Sequence, residues 1–507
     1  MRDADTPALD LGALLLLTLA GAALRLASLG TESLWYDEAA TWQLVQGDWQ
    51  AILDRNATQN SAPPLFPLLL GLVTGPDASE STLRMPALIA GVLAIPLVWL
   101  VAREFVPGRY ALLAPLLVAL SPTQFEYAQE VREYSLAFAT ACLMLLANAR
   151  FIAKPHGRTA GAIAAASILG ICVQYGNALL AAGAGIACLT AIATMADRAR
   201  PLRLWVIAQL PVGAAALALF VTTIRPQLEV SVMSPGGYVY LLDRYWDGSW
   251  PDLLTLLTAK DADIVHFAYP GKLFLALVLG GLAVAAWRPA LRNAAWLAAA
   301  PIGMTIGAAL AGAYPFGAIR QDLFLLPMLY VCAALGLAAA AGAVERRWGG
   351  LAGLGLAGVA VVALAWTGAM RLPALMNHVG NEPMRPLVAT LAERLRPGQR
   401  IYVYAGAVPA FRYYWRQRAE PWIRGVDHVS GLTPGLGDPQ LAAVEGELAG
   451  LCARGARFWF VGSHIGADDT DRLNAKLGNC GYVEVAFARL GSYLLRVTPR
   501  PASGGAA

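Results

Sequence analysis

Long apolar runs, separated by short polar breaks, set the pattern of this chain. They begin near Leu9, Pro86, Tyr110, Tyr134, Ala160, Asn177, Leu204, Lys272, Ala294, Asp322 and Leu351. None alternates with period two, so each reads as a helix. A stretch of about 20 apolar residues is what a helix needs to cross a bilayer, which gives about eleven spans. Tyr110–Leu120 is short for that role and runs into Ser121-Pro122. Leu9–Gly30 is too long for a signal-peptide core and reads as a retained first span, with Arg25 snorkelling toward the interface. The fold class expected is a polytopic α-helical membrane protein.

Beyond Arg371 the pattern changes. Arg400–Ala405, Arg457–Gly462, Tyr482–Ala488 and Ser492–Val497 read as strands, and Pro409–Gln417, Pro439–Ala453 and Asp468–Leu477 as helices. This alternation predicts a small extracytoplasmic α/β domain over residues 371–507, following a membrane domain over residues 1–370. Between the early spans, Thr41–Asn56 has the spacing of an amphipathic helix lying on the membrane. Pro63-Pro64 breaks it before the short apolar run Leu65–Val73.

Composition agrees with this reading. The 507 residues are 57% hydrophobic and only 14% charged, against roughly 25% charged in soluble domains. Mean hydropathy is +0.52. The net charge of +4 points to no nucleic-acid partner. Basic residues instead follow topology. If the N-terminus is cytoplasmic, the inner loops hold Arg103 and Arg109; Arg150, Lys154 and Arg158; Arg198, Arg200 and Arg203; Arg288 and Arg292; and Arg346 and Arg347. That is the positive-inside pattern. The same threading puts residues 31–84, 122–133, 225–270, 314–320 and the C-terminal part outside.

Four groups of polar residues then share the outer side. Trp35-Tyr36-Asp37-Glu38 follows the first span. Gln129-Glu130-Val131-Arg132-Glu133-Tyr134 enters a later one, as does Tyr314-Pro315-Phe316-Gly317-Ala318-Ile319-Arg320. The fourth group, in the second large loop, holds Tyr238, Tyr240, Asp243, Arg244, Tyr245, Trp246, Trp250, Lys260 and His266. Singly, these are interface aromatics and helix-end anchors. Together they suit a lipid-linked sugar phosphate: arginines for the phosphate, aromatic rings and acceptors for the sugar, and an ionised aspartate as base.

These segments, with Pro63-Pro64-Leu65-Phe66 and Leu83-Arg84-Met85-Pro86, resemble the GT-C membrane glycosyltransferases. The resemblance is to the branch that includes bacterial lipid A aminoarabinose transferases and protein O-mannosyltransferases. It implies an inverting transfer from a polyprenyl-phosphate sugar to an extracytoplasmic glycan or glycolipid acceptor at the bacterial inner membrane. Asp37 then matches the catalytic base, and Glu38 orients the acceptor or a neighbouring cation. Arg132 and Arg320, supported by Tyr134, match the donor-phosphate ligands. Trp35, Tyr36, Glu130, Tyr314 and His266 are the candidates for the substrate pocket. Two departures stand out: Ala62 where many relatives have histidine, and Phe66 where tyrosine is frequent. The appended repeat domains of the eukaryotic mannosyltransferases are missing from this sequence.

The rival reading is a transporter or flippase of lipid-linked substrates, although the chain shows no convincing internal repeat. No metal ligand set is evident, and helix capping explains the run Asp468-Asp469-Thr470-Asp471 better than a metal does. The resemblance leaves a divalent cation near the acidic motif open. Cys142, Cys172, Cys188 and Cys332 lie in apolar spans, while Cys452 and Cys480 share the outer domain and could form a disulfide.

Overall fold

The computed structural model describes residues 7–229, 241, 243–376, 382–396, 399–416, 428–430, 438–455, 457–465 and 467–500. Tyr238 and Tyr240 of the second loop, and the side chains of Asp468 and Asp469, lie outside them.

The chain is a polytopic helical membrane protein with a small C-terminal sheet domain. The first part runs α1 (Pro7–Ala27), α2 (Tyr36–Leu44), α3 (Trp49–Gln59), α4 (Leu65–Val73), α5 (Glu80–Ala102), α6 (Leu113–Leu120) and α7 (Pro122–Tyr127). Then come α8 (Tyr134–Ala153), α9 (Gly157–Val173), α10 (Gly176–Ala193), α11 (Ala199–Leu219) and α12 (Arg225–Glu229). The bundle ends with α13 (Trp250–Ala268), α14 (Lys272–Trp287), α15 (Arg292–Leu310), α16 (Leu326–Trp348) and α17 (Gly350–Ala369). All eleven apolar stretches read from the sequence are helical. Among the described residues, eight helical stretches are long and apolar enough to cross a membrane, and Gly108–Leu120 and Gly157–Val173 are shorter. α16 and α8 are the most enclosed, whereas α1, α11 and α17 turn most of their apolar surface outward, as lipid-facing helices do.

Three expectations change. Arg25 does not snorkel. It is fully buried, with Nη1 donating to the carbonyls of Gly21 (3.1 Å) and Ala119 (3.2 Å) and Nη2 to that of Val118 (3.0 Å). The short α6 ends there, and its last carbonyls need donors that lipid cannot provide. Thr41–Asn56 is not one surface helix but parts of α2 and α3, separated at Gly47, whose φ of +95° suits glycine. Asp48 starts α3 by accepting the Ala51 amide at 2.9 Å. Trp42, Leu44, Val45 and Ile52 pack into a core with Phe411, Tyr413 and Trp459 of the C-terminal domain, so that apolar face meets protein. Finally, the segment expected as loop at 225–270 contains α13.

The C-terminal domain opens with α18 (Leu372–Met376) and α19 (Met384–Arg394). It continues through β1 (Arg400–Val403), α20 (Val408–Trp415), β2 (His428–Ser430), α21 (Asp438–Ala453), β3 (Phe458–Gly462), α22 (Ala467–Cys480), β4 (Gly481–Arg489) and β5 (Ser492–Pro499). The sheet order is β2-β1-β3-β5-β4. β1 is parallel to β2 and β3, and β5 is antiparallel to β3 and β4. The short strand β2 had no clear signal in the sequence. Cys452 and Cys480 are joined by a disulfide, with Cα atoms 5.4 Å apart.

Candidate active site

The site is assembled at one end of the bundle, where α1 ends and α5 and α8 begin. Arg103 and Arg150 stand at the opposite ends of α5 and α8, where Arg150 Nε lies 3.1 Å from Glu104 Oε1. α2 carries Asp37 and Glu38 in its first turn, where carboxylates oppose the positive end of the helix dipole.

Glu38 is the fastening of this region. Arg84 Nε donates to its Oε1 at 2.8 Å and Nη2 to its Oε2 at 2.7 Å. Oε1 also accepts the Val131 amide at 2.9 Å, and Oε2 the Trp35 amide at 3.4 Å. Arg84 also donates from Nη1 to the Glu32 carbonyl and from Nη2 to the Ser33 carbonyl. Three separate segments are thus tied to one nearly inaccessible carboxylate. Both oxygens are engaged, and of the two partners expected for Glu38, an acceptor or a neighbouring cation, the contacts here are with a cation, Arg84.

Asp37 points the other way along the same turn. Its Oδ2 lies 2.8 Å from Arg320 Nη2 and 3.5 Å from Arg132 Nη1. Arg132 also approaches Glu133 Oε2 (3.3 Å) and the Tyr134 hydroxyl (3.4 Å). Arg320 stands over the rings of Trp35 (5.3 Å) and Tyr134 (5.6 Å), a cation–π arrangement with two aromatic walls. Burial pushes the Asp37 carboxyl up, but Arg320, Arg132 and His464 outweigh it and hold Asp37 below the ordinary value of 3.8.

The turn that delivers Arg320 is itself held. Gly317 (φ +117°) and Ala318 (φ +57°) bend the backbone, and Asp322 Oδ2 accepts the Gly317 amide at 2.9 Å. Arg244 Nη1 donates to the Gly317 carbonyl. The Tyr314 hydroxyl donates to the Gln321 carbonyl at 3.0 Å, as does Gln174 Nε2 at 3.2 Å. Tyr314 therefore braces this turn, while Tyr36 and Trp35 border Asp37 itself. Burial, then the charges of Asp37 and Glu382, push the Tyr36 phenol up to about 12. Glu130 is half-buried behind the arginines; burial pushes its carboxyl up to about 8, against the pull of Arg320. His266 does not join this group. It is exposed on α13, and among the described residues no hydrogen bond, ion pair or ring contact links it to Asp37 or the arginines.

Two residues join the site without a prior signal of their role. Glu382 accepts the Tyr36 amide on Oε2 at 2.8 Å, and His464 stacks on the Tyr36 ring with centroids 4.5 Å apart. His464 follows the carboxyl end of β3, the place where α/β sheets present ligand-facing residues, and that was its one legible hint. Arg84 had a plainer one, as a lone arginine within an apolar helix.

A divalent cation does not fit the acidic motif. Glu38 is spent on Arg84, and two guanidinium groups already face Asp37, so an added cation would meet like charge there. Among the described residues no three His, Cys, Asp or Glu side chains are arranged to hold a metal.

Residues 61–224 match the family model described as dolichyl-phosphate-mannose-protein mannosyltransferase. No curated protein matches the chain in sequence. Among solved structures, the chain is similar to ArnT from Cupriavidus metallidurans in the apo state, with a TM-score of 0.54 at 17% identity over 96% of this chain and 98% of that one. The same protein bound to undecaprenyl phosphate superposes with a TM-score of 0.52 over the same shares at 17% identity. The archaeal oligosaccharyltransferase AglB from Archaeoglobus fulgidus, in complex with an inhibitory peptide and a dolichol-phosphate, gives 0.55 at 13% identity over 90% of this chain and 69% of that one. The fold is that of the GT-C membrane glycosyltransferases.

Proposed function

We propose that the protein is an inverting glycosyltransferase that moves a sugar from a polyprenyl-phosphate donor to an extracytoplasmic glycan or glycolipid acceptor. One observation carries the reading: a single carboxylate oxygen of Asp37 faces both Arg320 and Arg132, from three distant parts of the chain. The undecaprenyl phosphate and dolichol-phosphate in the ArnT and AglB structures support a lipid phosphate as the group the arginines meet.

A phosphate ester entering this pocket competes with Asp37 for the same guanidinium groups. As the arginines turn to the phosphate, Asp37 loses the charges that depress its pKa and becomes a stronger base. The acceptor oxygen then attacks the anomeric carbon while its proton passes to Asp37. The bond from that carbon to the phosphate oxygen breaks, and the electron pair leaves on the lipid phosphate. Arg132 and Arg320 stabilise the charge gathering there, an effect of about 3 kcal/mol per well-placed donor. Tyr134 and Trp35 keep the arginines oriented.

The basic residues at the far end of the helices support a cytoplasmic N-terminus and an extracytoplasmic site, in a bacterial inner membrane. The change from long apolar helices to a five-stranded sheet after α17 supports a membrane domain over residues 1–370 followed by an extracytoplasmic domain. The test is transfer by the purified protein from a panel of radiolabelled undecaprenyl-phosphate sugars to envelope glycolipids, run beside translocation of the same lipids in proteoliposomes. Release of undecaprenyl phosphate with a labelled product is expected. Translocation without bond cleavage would overturn the reading in favour of a flippase.

A further inference from the structure

Besides the apolar packing of Trp42 and Leu44 on Phe411 and Tyr413, the C-terminal domain reaches the Asp37 helix through a titratable pair. β1 and β3 run parallel, and just beyond the carboxyl end of β3 the chain turns through His464 at φ +55°. A non-glycine residue seldom takes that conformation unless its surroundings impose it. Gly406, after β1, makes room for the turn: a Cβ there would meet the Ser463 carbonyl oxygen at 2.7 Å and the His464 Cβ at 2.9 Å. His464 Nδ1 lies 2.7 Å from Glu382 Oε1, while the other oxygen of this buried carboxylate accepts the Tyr36 amide. The imidazole lies nearly parallel to the Tyr36 ring, at 13°, and tilted toward Trp35 at 6.4 Å. Trp35 in turn carries Arg320. A carboxylate that holds one imidazole nitrogen fixes the tautomer and aims the other.

We propose that His464, oriented by Glu382, is a positioning residue of the transfer site, fixing Asp37 and Arg320 through Tyr36 and Trp35 so that the C-terminal domain is required for lipid-phosphate binding. This role rests on the donor-phosphate reading above.

The groups that face the imidazole are Glu382 ahead of α19, Tyr36 and Asp37 of α2, and Arg320 at the entry to α16. Burial pulls the imidazole down, the Glu382 hydrogen bond and charge and then Asp37 pull it up by more, and Arg320 opposes them. The balance lies above the ordinary 6.5. The pairing is therefore complete below pH 6.5 and is lost as pH rises through the elevated value of the folded protein. With it goes a positive charge that adds to the field receiving the phosphate.

The experiment measures binding of undecaprenyl phosphate to the full-length protein in detergent between pH 5.5 and 9, for wild type, His464→Gln and Glu382→Gln. In parallel, the imidazole of His464 is titrated by carbon NMR in histidine-labelled protein, its signal identified by its loss in His464→Gln. The wild-type Kd should weaken about tenfold across the His464 titration as the imidazolium charge is lost. His464→Gln should bind weakly throughout and lack that limb, and Glu382→Gln should lower the His464 midpoint. Thermal unfolding shows which variants are folded, and Glu382→Gln keeps the side-chain shape should His464→Gln fail. A His464→Gln profile matching wild type, or an unmoved midpoint in Glu382→Gln, overturns the role while the donor reading stands. Wild-type protein that binds no undecaprenyl phosphate at any pH overturns both.

Discussion

Arg84 and Glu38 form a two-pronged ion pair, Nε to Oε1 at 2.8 Å and Nη2 to Oε2 at 2.7 Å, with both side chains almost sealed from water. The adjacent carboxylates of one helical turn thus have opposite tasks. Glu38 faces inward to Arg84, which also donates to the carbonyls of Glu32 and Ser33, and Asp37 faces Arg320 and Arg132.

Breaking the inward pair leaves a buried charge without its partner, which costs about 3–5 kcal/mol. Glu38→Gln and Arg84→Met should each lower the thermal unfolding temperature in detergent sharply. Combining Glu38→Leu with Arg84→Met should recover part of the loss, because no unpaired charge remains. If Glu38→Gln unfolds like wild type while losing activity, Glu38 acts on substrate and not on the fold.

Asp37→Asn should remain folded yet lose transfer by about 10³-fold, as removal of a general base does. Its affinity for undecaprenyl phosphate should tighten, since the arginines no longer have a carboxylate to leave. Equilibrium binding and a single-turnover transfer assay separate the two effects. Weaker lipid-phosphate binding in the variant would show that Asp37 is needed to hold the arginines in place.

The helices were legible because lipid leaves a coarse signature of length and apolarity, and every stretch read as a span is helical. Asp37, Arg132 and Arg320 could be named because charge is conspicuous beside so much hydrocarbon. What a one-dimensional pattern lacks is partnership. Nothing local distinguishes Glu38 from Asp37; only the position of Arg84, on another helix, assigns one to structure. Arg25 was misread for the same reason, since the carbonyls that capture it belong to α6. His266 drew attention as a loop histidine, whereas His464 reaches Tyr36 only through the folding of a separate domain. Thr41–Asn56 kept an amphipathic period across Gly47, but that face was patterned for Phe411 and Trp459, not for lipid.

The disulfide between Cys452 and Cys480 closes a loop of sequence separation 28. By chain entropy such a closure contributes about 3–4 kcal/mol. Cys452→Ser, or reduction of the wild type, should destabilise the sheet domain and leave the helical bundle largely unaffected. Limited proteolysis with and without reductant checks this: cleavage should accelerate between α21 and β5 and not within the spans. Equal rates would mean that the core of Leu448, Phe458, Leu477 and Val497 holds the domain unaided.

Glu130 makes the pH behaviour of the folded protein testable without any substrate. Burial is the leading cause of its rise from the ordinary 4.5 to about 8, with Glu38 and Glu126 adding to it and Arg320 and Arg132 opposing. The folded protein therefore retains a proton that the unfolded chain releases between those two values. Stability must then fall as pH climbs from 4.5 toward 8 and level off above it, the reverse of a salt-bridged carboxylate. Glu130→Gln is neutral at every pH and cannot contribute that slope. Thermal unfolding of the two proteins should nearly coincide at pH 4.5, with the wild type dropping below the variant by pH 8.5. Parallel curves across this range would mean that the carboxyl ionises freely, and that the arginines, not burial, govern it.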